Sequence, residues 1–239
     1  MHFGIIAAGD GSRLQQEGVA KPKPLVELHG EPMIGRLIRI MIATGAESVS
    51  VIVNEHMTEV ADYLRSLSDK LSVPLQIVMK TTPSSMHSFY ELSSLMRGKG
   101  RFVLTTVDTI FRQPDFERYV KAFAQAATDI DGMMGVTAFV DDEKPLWVGT
   151  DASDNITGFL DERADDTKYV SGGIYGLAGK AIDVLRQCID SGVSRMRNYQ
   201  RALIAAGLHL KAYPLGKIVD VDHVSDIAGA ESFINTPAI

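Results

Sequence analysis

The chain has 239 residues, enough to bury a substantial core as one large domain or as a domain with a small lobe. Hydrophobic residues make up 45% and charged residues 23%, the balance of an ordinary globular protein. The formal charge of −6 argues against nonspecific binding to nucleic acid or an anionic membrane, yet leaves room for a local basic site.

The single cysteine, Cys188, cannot close an internal disulfide and falls in an apolar-periodic stretch, which reads as helix core rather than as a catalytic thiol. The apolar start over 2–8 is too short for a signal peptide and runs straight into a glycine loop. No apolar run approaches the length of a membrane span, so the cytoplasm is the expected location.

In chain order, 3–8 predicts a buried strand. Residues 32–44 have helical apolar spacing through Met33, Leu37, Ile40 and Met41, closed by Gly45. Strands are predicted over 49–53, 75–79 and 101–107, with helices over 57–67 and 86–96 between them. This alternation argues for a mainly parallel sheet covered on both faces, with ligands at the carboxyl ends of its strands. The second half is less regular. Strands are predicted over 132–140, 146–149, 155–160, 170–177 and 209–214, and helices over 178–191, 195–206 and 224–233.

The first strand leads into Ala8, Gly9, Asp10, Gly11, Ser12 and Arg13, and Pro22-Lys23-Pro24 follows shortly after. Glycine lets backbone N–H groups approach an anion closely, and Arg13 and Lys23 add the charge that a triphosphate needs. Two better-known glycine loops do not fit. A P-loop needs Gly-Lys-Ser/Thr where Gly11-Ser12-Arg13 stands, and the dinucleotide fingerprint needs a third glycine where Leu14 stands.

The pattern Ala-Ala-Gly-x-Gly-x-Arg-Leu, then Pro-Lys-Pro-Leu, then Gly-x-Pro-Met-Ile resembles the nucleotidyltransferases that join an NTP to a sugar 1-phosphate. Bacterial phosphocholine cytidylyltransferases share the same N-terminal motif. The resemblance implies a three-layer α/β sandwich with a mainly parallel, mixed central sheet and a small acceptor lobe. About 1–130 would form a nucleotide-binding half and about 131–239 an acceptor-binding half. It implies transfer of NMP to the acceptor with release of pyrophosphate. The partners would be an NTP and a small phosphorylated acceptor; whether copies of the chain associate is left open.

Such a reaction is an in-line attack by an acceptor that is already an anion. Catalysis must neutralise and align several negative charges, which calls for Mg²⁺ and cations. On the resemblance, residues 8–13 hold the triphosphate, with Arg13 towards the leaving pyrophosphate and Lys23 at the reacting phosphate. Asp108 closes an apolar strand, where a charge is costly unless the strand end opens into a site. It resembles the family's metal-binding aspartate. Asp220 and Asp222 are two apart and point the same way on an extended segment, and they resemble the late acidic element of the same metal site. Asp222 with Asp220 as co-ligand is the expectation, while Asp226 reads as a first-turn helix acid.

For the acceptor, Glu162 and Arg163 resemble the family's Glu-Lys-Pro element, with Ala164 where a proline is expected. Glu162 would accept hydrogen bonds from sugar hydroxyls, and Arg163 would grip the acceptor phosphate. Gly172 and Gly173 would let a sugar lie against backbone. Thr82, Ser84 and Ser85 could bond a base edge or cap the following helix; both readings stay open. Ser88-Phe89-Tyr90 looks more like the phosphocholine-type enzymes, which makes a CTP:phosphocholine (or other phospho-alcohol) cytidylyltransferase the alternative. A catalytically silent nucleotide-sugar sensor is the second alternative, motivated by the departed base loop.

Overall fold

A computed structural model describes residues 1–140 and 144–235. Strand β1 (His2–Ala7) is buried on both sides: Phe3, Ile5 and Ala7 face one core and Ile6 the other, so it reads as an unbroken apolar run. A five-residue helix, α1 (Ser12–Gln16), and a 3₁₀ turn at Lys23–Leu25 follow. Next come a short hairpin, β2 (Glu27–Leu28) with β3 (Glu31–Pro32), and the helix α2 (Met33–Ala43). The alternation then runs β4 (Ser48–Val53), α3 (Thr58–Ser68), β5 (Leu75–Met79), α4 (Ser85–Met96), β6 (Phe102–Thr106).

Beyond β6 lie the two-residue strand β7 (Thr109–Ile110) and the helix α5 (Gln113–Gln125). Helix α5 stands where the sequence reading places no element. Its signals are nonetheless present: Pro114 in the first turn, where a missing N–H costs nothing, and buried Phe116, Tyr119, Val120 and Phe123 at helical spacing. The second half comprises β8 (Gly132–Thr137), β9 (Trp147–Thr150), β10 (Ile156–Leu160), β11 (Tyr169–Leu177), α6 (Gly179–Asp190), α7 (Met196–Ala205), β12 (Leu210–Pro214), β13 (Val219–Asp220) and α8 (Val224–Asn235). Strand β8 ends at Thr137, short of the predicted 140.

One nine-stranded sheet organises the chain. Strands β5, β4, β1 and β6 lie side by side and parallel, β11 joins antiparallel to β6, and β8 and β12 continue beyond it. Helices α2, α3 and α5 pack on one face and α4, α6 and α7 on the other, giving three layers. A smaller core joins α1, the β2–β3 hairpin, β13 and α8 through Leu14, Leu28, Val221 and Phe233. No helix among the described residues is long and apolar enough to cross a membrane.

Strand β11 changes partner midway. Its start pairs with the β9–β10 hairpin and its end with β6, and the register against β8 slips between Ser171 and Ile174. Gly172 and Gly173 fill that slip. Gly173 has φ +70°, and a Cβ there would stand 2.5 Å from Thr109 Oγ1; a Cβ on Gly172 would meet Ile218 Cδ1 at 2.3 Å. A bulge in left-handed backbone against packed neighbours is what requires these glycines.

Candidate active site

The carboxyl ends of β1 and β6 and the loop after β5 open into one cleft of about 450 Å³. Ala8, Gly9, Asp10, Gly11, Ser12 and Arg13 form one wall; Lys23, Asp108 and Asp222 lie at its floor, with Thr82 and Ser85 opposite. Gly11 is the hinge of this wall. It has φ +63°, and a Cβ would stand 2.8 Å from Lys23 Cβ, so only glycine lets the loop turn and lets Lys23 pass behind it. Nothing lies within 4 Å of the Cβ position of Gly9, which leaves open space for a ligand on that side.

At the floor the Lys23 ammonium sits between two carboxylates, 2.6 Å from Asp108 Oδ2 and 2.6 Å from Asp222 Oδ1. The other oxygen of Asp222 accepts a hydrogen bond from Arg13 Nη1 at 2.8 Å. The Lys23 side chain is 10% exposed, against 26% for Asp108 and 41% for Asp222. Burial alone would lower the lysine pKa. The charge and hydrogen bonds of Asp108 and Asp222 outweigh it and hold the ammonium above its ordinary range.

The two acids meet through a short antiparallel ladder. Strand β13 pairs with β7 (Val219 with Ile110, Asp220 with Thr109), and the Val221 N–H then donates to the Asp108 carbonyl at 3.1 Å. Val219 and Val221 are buried on the inner side, which turns Asp220 and Asp222 to the other. Asp226 accepts from the N–H groups of Asp222 (2.9 Å) and His223 (2.7 Å), a capping-box return at the start of α8. Glu17, at the end of α1, accepts from the Val224 N–H at 2.7 Å and bonds His223 Nδ1 at 2.5 Å. That pair ties α1, which carries Arg13, to the helix that follows Asp222.

Asp220 does not line the large cleft. With Asp222, Arg13, His223, Asp226, Gly172, Thr137 and Phe139 it borders a smaller neighbouring cavity of about 100 Å³. Asp222 and Arg13 border both spaces, so they stand at the junction. Among the described residues no three His, Cys, Asp or Glu side chains gather as a ready-made cation cage. The pair Asp108 and Asp222 is the donor set that converges, and it converges on a cation. Two carboxylates sharing one cation position suit Mg²⁺, which takes one or two carboxylates and completes its shell with phosphate and water.

The remaining expected residues divide. Gly172 borders the smaller cavity, but the bulge and Ile218 account for it and for Gly173 without a ligand. Glu162 and Arg163 are exposed and border neither space, and the Arg163 guanidinium lies over the Trp147 ring at 5.1 Å. Thr82 turns inward, its Oγ1 2.6 Å from Ser88 Oγ. Ser84 takes the N-cap position of α4, yet its hydroxyl bonds the His87 ring instead of a helix N–H. Neither Thr82 nor Ser85 caps the helix. Asn54 and Thr106 are site-edge residues that the sequence reading did not single out; each is a common polar residue at a strand end, and only the folded sheet shows what it meets.

The sequence profile of the Nucleotidyl transferase family matches residues 4–234. A probable mannose-1-phosphate guanylyltransferase of Oryza sativa subsp. japonica is 25% identical over 189 residues, covering 75% of this chain and 50% of the relative. The chain therefore spans about half the length of that curated relative. Among solved structures, a putative glucose-1-phosphate thymidylyltransferase from Bacillus anthracis superposes with a TM-score of 0.82 at 19% identity, covering 100% of this chain and 97% of that one. The inositol-1-phosphate CTP transferase from T. maritima gives 0.80 at 17% identity, with the same coverage. These structures share the fold in full. With the profile matched almost end to end, the chain belongs to the nucleotidyl transferase family.

Proposed function

We propose that the chain transfers NMP from an NTP to a sugar 1-phosphate and releases pyrophosphate. The observation that carries this reading is the Lys23 ammonium held between Asp108 and Asp222, with Arg13 beside it, at the floor of a glycine-walled cleft. An acceptor phosphate oxygen attacks the α-phosphorus, the bond from that phosphorus to the α–β bridging oxygen breaks, and pyrophosphate carries the charge away. Backbone N–H groups of the loop 8–13 bind the triphosphate, and Arg13 faces the leaving group. Lys23 transfers its charge from the two carboxylates to the reacting phosphate. Asp108 and Asp222, with Asp220 as co-ligand, would hold Mg²⁺, which would supply charge that neutralises and orients the triphosphate. About 1–130 serves the nucleotide and about 131–239 the acceptor, which enters by the smaller cavity at the junction formed by Asp222 and Arg13.

Glu162 and Arg163 act on the acceptor only after Arg163 leaves Trp147. Thr82 and Ser85 face the base. We place the protein in the cytoplasm, the compartment that supplies an NTP. One observation favours the alternative, transfer of CMP to phosphocholine or another phospho-alcohol. The smaller cavity carries Asp220, Asp222 and Asp226 beside Phe139, a ring that already takes the Lys217 ammonium at 4.1 Å. The test is pyrophosphate release with each NTP and Mg²⁺ across sugar 1-phosphates and phosphocholine. Release with one sugar 1-phosphate, abolished by Asp108→Asn, is the expected result. Release with CTP and phosphocholine alone replaces it by the alternative. Nucleotide binding without release under any combination refutes both and leaves the sensor.

A further inference from the structure

We infer that Asn54 is a positioning residue that fixes the glycine loop and the loop after β5 at one spacing, and so sets how tightly the nucleotide is held. The inference rests on the nucleotidyl-transfer reading of the cleft. Strand β4 lies between β1 and β5 in the sheet, so the residue just beyond β4 borders the loops that follow both neighbours. Asn54 is that residue, and it is 3% exposed. Its Nδ2 donates to Asp10 Oδ1 at 2.8 Å, in the glycine loop. Its Oδ1 accepts from Thr81 Oγ1 at 3.0 Å, next to Thr82, and from the His56 N–H at 3.0 Å. One buried amide thus uses its donor end on the phosphate wall and its acceptor end on the base side.

Packing holds the glycine loop at Gly11, against Lys23, but not at its crown, Gly9 and Asp10. Gly9 and Asp10 are exposed, and Gly9 has no neighbour within 4 Å of its Cβ position. Asp10 borders the large cleft and also a second cavity of about 360 Å³, lined by Gln15, Pro22, Asn54, His56 and Glu59 among others. A loop flanked by open space on two sides is fixed by whatever directional bonds reach it. Among the described residues the Asp10 side chain has one, to Asn54. That bond also draws an anionic carboxylate back towards β4, away from where phosphates would lie. Because its acceptor is charged, its loss should weaken nucleotide binding by roughly tenfold to a hundredfold.

The test compares wild type, Asn54→Asp, Asp10→Asn and the double variant N54D/D10N. The probes are the four common NTPs, titrated calorimetrically with Mg²⁺, and a melting temperature checks each fold. N54D sets carboxylate against carboxylate. The double variant restores one donor facing one acceptor at unchanged net charge, and the new carboxylate still accepts from Thr81 and His56. N54D is expected to weaken binding by roughly tenfold or more, and N54D/D10N to recover most of it. In turnover the loss should fall on the KM for NTP, with kcat at saturation little changed, a split that general destabilisation does not give. Thr81→Val removes the bond on the base side without burying a charge, and should weaken binding by about tenfold if N54D fails to fold. A folded N54D or T81V that binds as wild type overturns the inference, as does a double variant that binds no better than N54D. Wild type that binds no NTP sinks the reading of the cleft itself, and the inference with it.

Discussion

Replacing Lys23 by methionine tests the centre of the mechanism, because it removes the charge and keeps most of the stem. At an effective dielectric of about 20, each Lys23–carboxylate contact, 2.6 Å long, is worth at most about 6 kcal/mol. Asp222 is 41% exposed, so solvent reduces its share to about 1 kcal/mol, while Asp108, 26% exposed, keeps more. Burying the ammonium offsets several kcal/mol of the sum. The net loss of folding stability in K23M should therefore be small, about 1–2 kcal/mol by urea unfolding at neutral pH. The catalytic loss should be far larger. Removing one preorganised cation from a developing charge costs roughly 10²–10³ in kcat, read as single-turnover pyrophosphate release. K23M should also raise the affinity of the free protein for Mn²⁺, since Asp108 and Asp222 then lose the cation they share and only Arg13, on Asp222, remains; a melting temperature that rises with Mn²⁺ would report it. A folded K23M that keeps kcat within about twofold would refute the role given to Lys23.

Three further substitutions probe the scaffold. Gly11→Ala puts a side chain at φ +63° and 2.8 Å from Lys23 Cβ, and should cost about 2 kcal/mol in denaturant unfolding while lowering pyrophosphate release; an unchanged midpoint would show that the loop relaxes freely. Gly173→Ala should destabilise by about 1–3 kcal/mol, owing to φ +70° and the Thr109 hydroxyl, with no change in preference among acceptors. A switch of acceptor at unchanged stability would return that glycine to the acceptor site. Glu17→Gln tests the tie between α1 and α8. The Glu17 hydrogen bond raises the His223 pKa above its ordinary 6.5, and the same bond, with that from the Val224 N–H, lowers the Glu17 pKa below 4.5. The His223 contribution is thus complete below pH 6.5 and fades as pH rises through the elevated value; that of Glu17 is complete above pH 4.5 and fades as pH falls through the depressed one. In E17Q an NMR titration of the His223 ring should move back towards 6.5, and an unmoved midpoint would mean that the contact does not exist in solution.

By itself the sequence determined what depends on neighbours along the chain. The turn through Gly11, the cation at Lys23 and the carboxylate closing β6 are local consequences of glycine, of flanking prolines and of an apolar run ending in Asp108. The alternation of strands and helices is equally local, because burial on both faces of a parallel strand writes an unbroken apolar run. Even α5 was written there, in Pro114 and the spacing of Phe116, Tyr119 and Phe123. Tertiary structure decided which distant groups meet. Lys23 and Asp222 are 199 positions apart, and the β7–β13 register sets Asp222 rather than Asp220 beside Lys23. It also placed Glu162 and Arg163 outside both cavities, gave Gly172 and Gly173 a packing reason, and put Asn54 between two loops. A side chain's chemical type is fixed by its codon, but its partners follow from strand order and register. Those are chosen by burial over the whole sheet, which no single segment of the sequence contains.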